Sequence, residues 1–305
     1  MIIDTPTIEN IPSVATAGTF DGVHRGHRAV LESLTEAARR EGLRPLAITF
    51  DRHPLETVAP EKAPLLLTSH ERQAKLISDC GVELLRIPFD KATAAMTARE
   101  WLRQLREKFG VRILVIGYDN TFGHDGLDMS ISDYSSMAQE EGITILEAPV
   151  VEDTSSSRVR RALLAGEVER ARLMLGRPYE LEGVVVSGNA LGRTLGFPTA
   201  NIGVHPRRLV PADGTSAVAA ILPQDEILPA MVNIGIRPTV DDSGRRSVEC
   251  NIIDWEGDLY TRPLEVRFLS RIRDEKKFDS IEELKAQLAE DRETAIRTFN
   301  DYIGN

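Results

Sequence analysis

Two histidines stand near the start of the chain, where a short apolar segment gives way to a helical pattern. They are His24 and His27, in the stretch GTFDGVHRGH, which spans residues 18–27 and which we call the histidine turn. A helix start offers free backbone N–H groups and the positive end of the helix dipole, so it binds anions. Two imidazoles there could donate hydrogen bonds to a phosphate as charge builds in a transition state. The turn therefore predicts nucleotide phosphate chemistry, and the alternative is a glycine turn with two surface histidines.

A run of serines and arginines later in the chain is a second candidate for phosphate binding. The run is TSSSRVR, residues 154–160, and it opens a predicted helix. Its hydroxyls, the amides of the helix start and Arg158 or Arg160 would hold further phosphate oxygens. The alternative is that Ser155 or Ser156 only caps the helix. Because a triphosphate needs more than one anchor, the histidine turn favours the first interpretation.

Two more polar segments follow predicted strands. The segment TFDRHP contains Asp51 and His53, and GYDNTFGH contains Asp119 and Asn120. Asp119 and Asn120 could hydrogen-bond a base or ribose, or they could only shape a turn. The chain has neither a GxxxxGK[ST] loop nor a GxGxxG turn, which disfavours a P-loop kinase and a standard dinucleotide site.

The second half of the chain has its own chemical candidates in the segment GNALGRTLGFPTAN, residues 188–201. Its three glycines predict a loop whose amides could hold phosphate. Thr199 and Asn201 alternate along an extended segment, so their oxygens face one side, and such oxygens suit Mg²⁺. The alternative is a glycine-rich hairpin with polar residues facing solvent.

Glu249 is a candidate general base on a predicted strand. Val248, Cys250 and Ile252 share one face of that strand, and Glu249 shares the other with Asn251. A glutamate on a polar strand face is usually solvated. If it faces Thr199 and Asn201 instead, it could take a proton from a substrate hydroxyl. Residue spacing leaves both possibilities open.

Alternating strand and helix patterns must position the first group of candidates. Short apolar runs predict strands over residues 14–17, 45–50, 84–87, 113–116 and 143–146. Amphipathic patterns predict helices over residues 27–40, 69–80, 98–109, 131–141 and 157–165. This rhythm predicts a parallel sheet covered by helices on both faces. Ligands of such sheets bind beyond the carboxyl ends of the strands, which is where the candidate residues fall.

The pattern changes after residue 178. Short strand-like runs are predicted over residues 181–186, 216–222, 230–234, 247–254 and 264–269, and turn residues separate them. Such runs are typical of a small antiparallel barrel. A final helix opens at Ser280, which forms a capping-box pattern with Glu283.

Composition excludes several classes of protein. The chain has 305 residues, enough for two domains, and a net charge of −10, which disfavours a nucleic-acid partner. Its two cysteines fit neither a disulfide framework nor a zinc site. The start is not a signal peptide, and no apolar run is long enough to span a membrane. We expect a cytoplasmic protein with small-molecule partners, without a nucleic-acid or membrane partner, and the oligomeric state is left open.

Together the motifs resemble bacterial bifunctional riboflavin kinase/FMN adenylyltransferases, also called FAD synthetases. The resemblance runs from about residue 14 to residue 302. In the first half it depends on GTFDGVHRGH, TFDRHP, GYDNTFGH and SSSRVRRAL, and in the second on GRTLGFPTANI, NIGIRPT, VECNIIDWEGDLY and IRDEKKF. Many nucleotidylyltransferases share the first motif, but its occurrence ahead of the PTAN segment is specific.

The resemblance implies two domains and two reactions. A Rossmann-like parallel-sheet nucleotidylyltransferase domain over residues 1–178 would transfer AMP from ATP to FMN, giving FAD and pyrophosphate. A small antiparallel β-barrel with a closing helix, over residues 179–305, would transfer the γ-phosphoryl group of ATP to riboflavin, giving FMN and ADP. The fold class is therefore α/β plus β, and Mg²⁺ would accompany ATP.

The resemblance also implies roles for individual residues. Glu249 would be the base that activates riboflavin, while His24 and His27 would stabilise charge on the α-phosphate. In the adenylyltransferase, ATP would bind Gly18, Thr19, Phe20, Asp21, His24, His27, Asp119, Ser156, Ser157 and Arg160, of which the last three would hold the outgoing pyrophosphate. Flavin would bind there at Asp51, His53 and Asn120. In the kinase, ATP would bind Gly188, Gly192, Arg193, Gly196, Thr199 and Asn201, of which the last two would hold Mg²⁺.

The sequence departs from the usual family pattern in a few places. Asn120-Thr121 replaces a common Phe-Arg, Tyr260-Thr261 replaces Tyr-Gly, and Asn251 stands where histidine is frequent. The segment DGTSA around Thr215 replaces a usual Gly-Val-Tyr-Ala, so an aromatic ring is missing. An alternative function is therefore an FMN adenylyltransferase whose barrel binds flavin but is weak as a kinase.

Two further classes are disfavoured. A nucleotidylyltransferase for a different cofactor precursor would not explain the PTAN segment. The other class is a regulator that senses flavin or binds RNA. The net charge of −10 disfavours RNA as its main partner.

Overall fold

The fold is taken from a computed structural model, which describes residues 2–4, 10–118, 121–126, 129–187, 196–236 and 246–304, with backbone alone at residues 2–4. The chain forms two compact units, Met1–Ser155 and Ser156–Asn305. The predicted domain boundary at residue 178 remains a prediction. In the described part of the chain, no helix is long and apolar enough to cross a membrane.

The first unit is built on a six-stranded parallel sheet with strand order β1-β4-β3-β2-β5-β6. Its strands are β1 (Ile2–Asp4), β2 (Ser13–Ala17), β3 (Arg44–Phe50), β4 (Glu83–Ile87), β5 (Val111–Ile116) and β6 (Thr144–Glu147). Its helices are α1 (Arg25–Glu41), α2 (Pro54–Val58), α3 (His70–Ser78), α4 (Lys91–Ala94), α5 (Ala98–Lys108) and α6 (Ile131–Glu140), with a 3-10 turn over Pro60–Lys62. The parallel sheet is confirmed, and the short β1, α2 and α4 are additions.

Helices cover both faces of this sheet, as predicted. One buried cluster joins the sheet to α1 and α3 through Leu31, Leu34 and Ile77, which are fully buried. A second cluster joins the opposite face to α5 through residues such as Leu102 and Leu105. Because both faces are covered, the strands carry short apolar runs with buried side chains on both faces, and these runs made the strands predictable.

The second unit contains a closed antiparallel barrel with strand order β10-β11-β8-β7-β12-β9. Its strands are β7 (Tyr179–Val186), β8 (Ala200–Val204), β9 (Gly214–Ile221), β10 (Ile227–Ile236), β11 (Arg246–Ile252) and β12 (Pro263–Arg273). Its helices are α7 (Ser156–Leu164), α8 (Val168–Leu175) and α9 (Ile281–Ile303). The predicted barrel and closing helix are confirmed.

The two helices ahead of the barrel belong to this second unit. The Ala212 amide donates to the carbonyl of Leu163 at 2.9 Å, and the Arg271 amide donates to Glu169 at 2.8 Å. These contacts tie α7 and α8 to the barrel. Helix α8 was not predicted, and it ends at Gly176, whose φ of +71° closes it with a left-handed cap.

The start of α9 differs from the predicted capping box in one bond. Ser280 Oγ accepts from the Glu283 amide at 3.1 Å, as predicted. The Glu283 carboxylate, however, accepts from the amide of Asp279 at 3.3 Å. The bond to the Glu283 carboxylate therefore comes from the residue before the N-cap and not from the N-cap itself. Helix α9 still begins after Ser280.

Candidate active sites

The histidine turn connects the central strand β2 to helix α1 through an unusual backbone. Phe20 has a φ of 45° and Val23 a φ of 38°, so two bulky residues adopt the left-handed region, with Gly22 between them at 85°. A β-branched residue in that region is strained by about 1–2 kcal/mol. Both side chains are nevertheless buried, so packing holds the turn in this shape.

His24 and His27 lie together at the N-terminus of α1. His24 is the N-cap, and its Nδ1 accepts from the His27 amide at 3.3 Å. The two rings stack with centroids 3.6 Å apart, and Phe20 contacts His27 edge-on at 5.3 Å. Because Nδ1 of His24 accepts a hydrogen bond, a neutral His24 ring carries its proton on Nε2 and can donate it to a ligand.

Asp21 lies under the turn and binds the chain ahead of helix α3. Its carboxylate is buried and accepts from the Leu67 amide at 2.9 Å and from the amide and hydroxyl of Thr68, each at 3.1 Å. The Thr68 hydroxyl in turn accepts from the Gly22 amide at 3.2 Å. These bonds clamp the strained turn to residues 67–68. The predicted contact of Asp21 with ATP stays a prediction.

A second clamp holds the other side of the turn. Gln73 on α3 donates to the carbonyl of Thr19 at 2.7 Å, and Arg86 on β4 donates to the Gln73 carbonyl at 3.2 Å. Gln73 was not among the residues predicted from the sequence. Its position on the apolar face of α3 was a signal that could have identified it, because a buried side-chain amide such as that of Gln73 needs hydrogen-bond partners.

The TFDRHP segment lies at the carboxyl end of β3, beside the turn. A narrow cleft there is lined by Thr19, Phe50, Arg52, His53 and His70, among others. His53 caps α2, with its Nδ1 accepting from the Leu55 amide at 3.2 Å. Burial, helped by the charge of Arg86, lowers the pKa of His70. The cleft therefore places the rings of Phe50, His53 and His70 and the guanidinium of Arg52 next to the histidine turn.

Asp51 binds the segment that follows β4. Its carboxylate accepts from the Phe89 amide at 2.9 Å and pairs with Arg52 at 3.1 Å. Burial raises the pKa of Asp51, but the hydrogen bonds from Arg52 and the Phe89 amide outweigh it, so the net pKa is lowered. Its assignment to flavin binding stays a prediction.

The serine run spans the division between the two units. Within the first unit, the carbonyl of Thr154 lies 3.9 Å from the point where a Cβ on Gly26 would stand. Ser156, Ser157 and Arg160 lie in the first turns of α7, in the second unit. Asp119 and Asn120 lie outside the described residues.

The barrel resolves the orientation of Glu249, which spacing had left open. Glu249 on β11 lies directly opposite Asn201 on β8, so the two side chains project from the same face. Glu249 and Thr199 both line a cavity of about 330 Å³. The proposed base and the proposed Mg²⁺ ligands are thus brought to one site.

The segment before β8 is held to this site by Asn251. Its Nδ2 donates to the carbonyl of Pro198 at 2.7 Å, directly before Thr199. Gly196 precedes this segment with a φ of +87°, which only glycine adopts without strain. Gly188, Gly192 and Arg193 lie outside the described residues.

A row of polar side chains extends from Glu249 across further strands. Register pairs Glu249 with Asn233 on β10, Asn233 with Thr215 on β9, and Thr215 with Arg273 on β12. We call this set the polar row; its members are Asn201, Glu249, Asn233, Thr215 and Arg273. The last four line the same cavity. Neither Asn233 nor Arg273 was predicted to be a site residue, although Asn233 interrupts an apolar strand.

Helix α9 holds the end of the polar row. Asp291 on α9 is buried and pairs with Arg273 at 2.8 Å. Leu284 and Leu288 of the same helix line the cavity, as does Phe278. The cavity therefore combines an apolar wall with its polar row, which suits a ligand with a flat ring and a polar chain.

Two family models match the chain, one on each half. The model for FAD synthetase matches residues 7–161, and the model for riboflavin kinase matches residues 175–299. The first match contains the histidine turn, and the second contains the polar row.

Relatives match along almost the whole chain. The bifunctional riboflavin kinase/FMN adenylyltransferase of Escherichia coli K12 is 38% identical, covering 94% of this chain and 92% of its own. The enzyme of the same name from Bacillus subtilis is 34% identical over 96% of this chain and 94% of its own. A crystal structure described as a macrolide-efflux protein of Streptococcus pneumoniae is 33% identical, with a TM-score of 0.86, covering 96% of this chain and 98% of its own. The efflux description belongs to that protein.

Proposed function

The chain belongs to the bifunctional riboflavin kinase/FMN adenylyltransferase family, and on this premise we propose that it makes FAD from riboflavin in two steps. The barrel phosphorylates riboflavin to FMN, and the parallel-sheet domain then adenylylates FMN. The observation that carries the assignment of the kinase site is the register of Glu249 opposite Asn201, beside Thr199, in a cavity with an apolar wall.

In the kinase step, Glu249 accepts the proton of the riboflavin 5′-hydroxyl. The hydroxyl oxygen forms a bond to the γ-phosphorus of ATP, and the bond from that phosphorus to the β-γ bridging oxygen breaks, so the electron pair leaves with ADP. Positioning and charge neutralisation supply most of the rate in such transfers.

Thr199 and Asn201 are the residues that would hold Mg²⁺ with the nucleotide. A hydroxyl and an amide carbonyl are hard oxygen donors of the kind that Mg²⁺ takes in small number, the rest coming from phosphates and water. The described residues contain no group of three or more histidine, cysteine or acidic residues placed to hold a metal. The donors present therefore fit an ion that is delivered by the nucleotide. When bound, Mg²⁺ would neutralise phosphate charge.

In the adenylylation step, a phosphate oxygen of FMN attacks the α-phosphorus of ATP, and pyrophosphate leaves. His24 and His27, at the start of α1, donate to the α-phosphate oxygens as negative charge grows there. Ser156, Ser157 and Arg160 would bind the pyrophosphate end, and Gly18, Thr19 and Phe20 would contribute backbone contacts. No covalent intermediate is needed.

We assign the adenylyltransferase to residues 1–178 and the kinase to residues 179–305, acting in the cytoplasm. Two free cysteines, Cys80 and Cys250, support a reducing compartment. Burial raises the pKa of the Cys250 thiol to about 12, which keeps it protonated and unreactive.

A time course with riboflavin, ATP and Mg²⁺, resolved by chromatography, tests this function. We expect FMN first and FAD second. Formation of FAD from supplied FMN, without any product from riboflavin, would restrict the function to adenylylation. No turnover of either flavin would contradict the proposal.

A further inference from the structure

Asn233 lies in the middle of the polar row, and a hydrogen bond from Thr215 fixes the orientation of its side-chain amide. Thr215 Oγ1 donates to Asn233 Oδ1 at 3.2 Å. Thr215 is almost fully buried, at 2% exposure, so its hydroxyl lies where solvent does not compete for this bond. The carbonyl oxygen of the Asn233 amide is therefore directed toward β9.

The NH₂ group of the Asn233 amide faces the other neighbouring strand, β11. Asn233 lies between Thr215 and Glu249 in register, so an oxygen turned toward β9 places Nδ2 on the side of β11. Within the described part of the chain, no protein group accepts a hydrogen bond from this Nδ2. Asn233 is exposed to the cavity that Glu249 also lines. A donor is thus offered to a ligand next to the base.

We propose that Asn233 is a further catalytic residue of the kinase and that Thr215 is its positioning residue. Asn233 Nδ2 donates to the hydroxyl oxygen of the flavin substrate while that hydroxyl donates its proton to Glu249. One lone pair of the oxygen is held by Asn233, and the second attacks the γ-phosphorus, whose bond to the leaving ADP oxygen breaks. This inference rests on the proposed kinase function.

The benefit of this arrangement is orientation. With a base alone, the substrate can rotate about the O–H bond that points to Glu249. The lone pair that attacks is then directed at the γ-phosphorus only part of the time. A donor on the neighbouring strand fixes that rotation and favours an attacking geometry. Thr215 is needed because a flip of the Asn233 amide would exchange its oxygen and its NH₂ group. The substrate would then meet an acceptor and not a donor.

The test is a double-mutant cycle with Thr215→Val and Asn233→Ala, in which riboflavin phosphorylation is measured. Valine keeps the shape of threonine and removes the hydroxyl. We expect Thr215→Val to lower kcat about tenfold with little change in KM, and Thr215→Ser to restore most of the rate. In the Asn233→Ala background, Thr215→Val should have no further effect, because its partner is gone.

Several outcomes would overturn the inference. One is a Thr215→Val enzyme as active as the wild type, and another is additive loss in the double variant, which would mean that Thr215 acts independently of Asn233. Wild-type phosphorylation is the reference in every assay, so its absence would contradict the proposed kinase function and not this inference. Conversion of FMN to FAD reports that the remainder of each variant is intact.

Asn233→Asp provides a second test if the alanine variant does not fold. Aspartate keeps the size of the side chain but replaces the NH₂ group by a carboxylate oxygen, which has no proton to donate to the substrate oxygen. We expect kcat for riboflavin phosphorylation to fall about tenfold or more with little change in KM. An Asn233→Asp enzyme that phosphorylates riboflavin at the wild-type rate would show that no donor is needed at residue 233.

Discussion

The histidine turn and the polar row bring chemical groups together in opposite ways. The turn takes its groups from ten consecutive residues, and a strained backbone holds them, with Phe20 and Val23 in the left-handed region. The row takes one residue from each of five strands, and ordinary strand register aligns them. A contiguous site is therefore sensitive to the bonds that hold its backbone, whereas a registered site is sensitive to individual side chains.

The largest expected effect is on the registered site. Glu249→Gln removes the proton acceptor that we propose while keeping the shape of the side chain, so riboflavin phosphorylation should fall by about 10²–10⁴-fold. Conversion of FMN to FAD should stay near the wild-type rate, because the histidine turn lies in the other unit. Both rates are measured by chromatography on the same preparation. Equal loss of both would indicate a folding defect and would contradict the assignment.

The matching change in the histidine turn is His27→Ala, which should lower FAD formation and leave riboflavin phosphorylation intact. It removes the imidazole that we propose as a donor to the α-phosphate, and loss of one such donor typically lowers kcat by about 10²–10³-fold. FAD formation from FMN should fall by that amount, and riboflavin phosphorylation should persist.

His24 needs a different substitution because it also caps α1. Asparagine is a good N-cap, so His24→Asn keeps the helix start and removes the imidazole. We expect FAD formation to be lost without a change in melting temperature. A lowered melting temperature with full activity would mean that His24 only caps the helix.

The clamp under the turn should give a smaller and mixed effect. Asp21→Asn replaces one carboxylate oxygen by an NH₂ group, which faces the N–H donors of Leu67 and Thr68. A buried polar group left unsatisfied costs about 1–3 kcal/mol, so the free energy of unfolding should fall by that amount. Adenylylation should fall with it at unchanged KM for ATP. A raised KM with unchanged stability would favour direct binding of ATP by Asp21.

The smallest effect concerns strain that lies away from both sites. Thr261 has a φ of 63° in an exposed turn of the barrel unit, where the family commonly has glycine. Thr261→Gly should increase the free energy of unfolding by about 1 kcal/mol, since glycine adopts this region without penalty. Neither activity should change. A loss of kinase activity would show that the conformation of this turn contributes to the kinase site.

This difference also explains what the sequence could and could not predict. The histidine turn was predictable because its strand, glycines, histidines and helix are adjacent in the chain, and His24 and His27 do meet. The side to which Glu249 points was not predictable, because it depends on which residue of a strand some fifty residues away lies opposite. Asn233 and Arg273 were missed for the same reason. The clamp by Gln73 was missed because its partner, the Thr19 carbonyl, is a backbone atom that leaves no trace in residue types.

The central claim is that the two reactions belong to separate domains, residues 1–178 and residues 179–305, and mixing two variants tests it most directly. Glu249→Gln and His27→Ala are each incubated with riboflavin, ATP and Mg²⁺, alone and together, and FMN and FAD are followed over time. We predict FMN formation lowered by about 10²–10⁴-fold with Glu249→Gln, FMN with FAD formation lowered by about 10²–10³-fold with His27→Ala, and FAD from the mixture, because FMN released by one variant is adenylylated by the other. A His27→Ala enzyme that makes no FMN, or a Glu249→Gln enzyme that cannot convert supplied FMN to FAD, would contradict the division of the two reactions between residues 1–178 and residues 179–305.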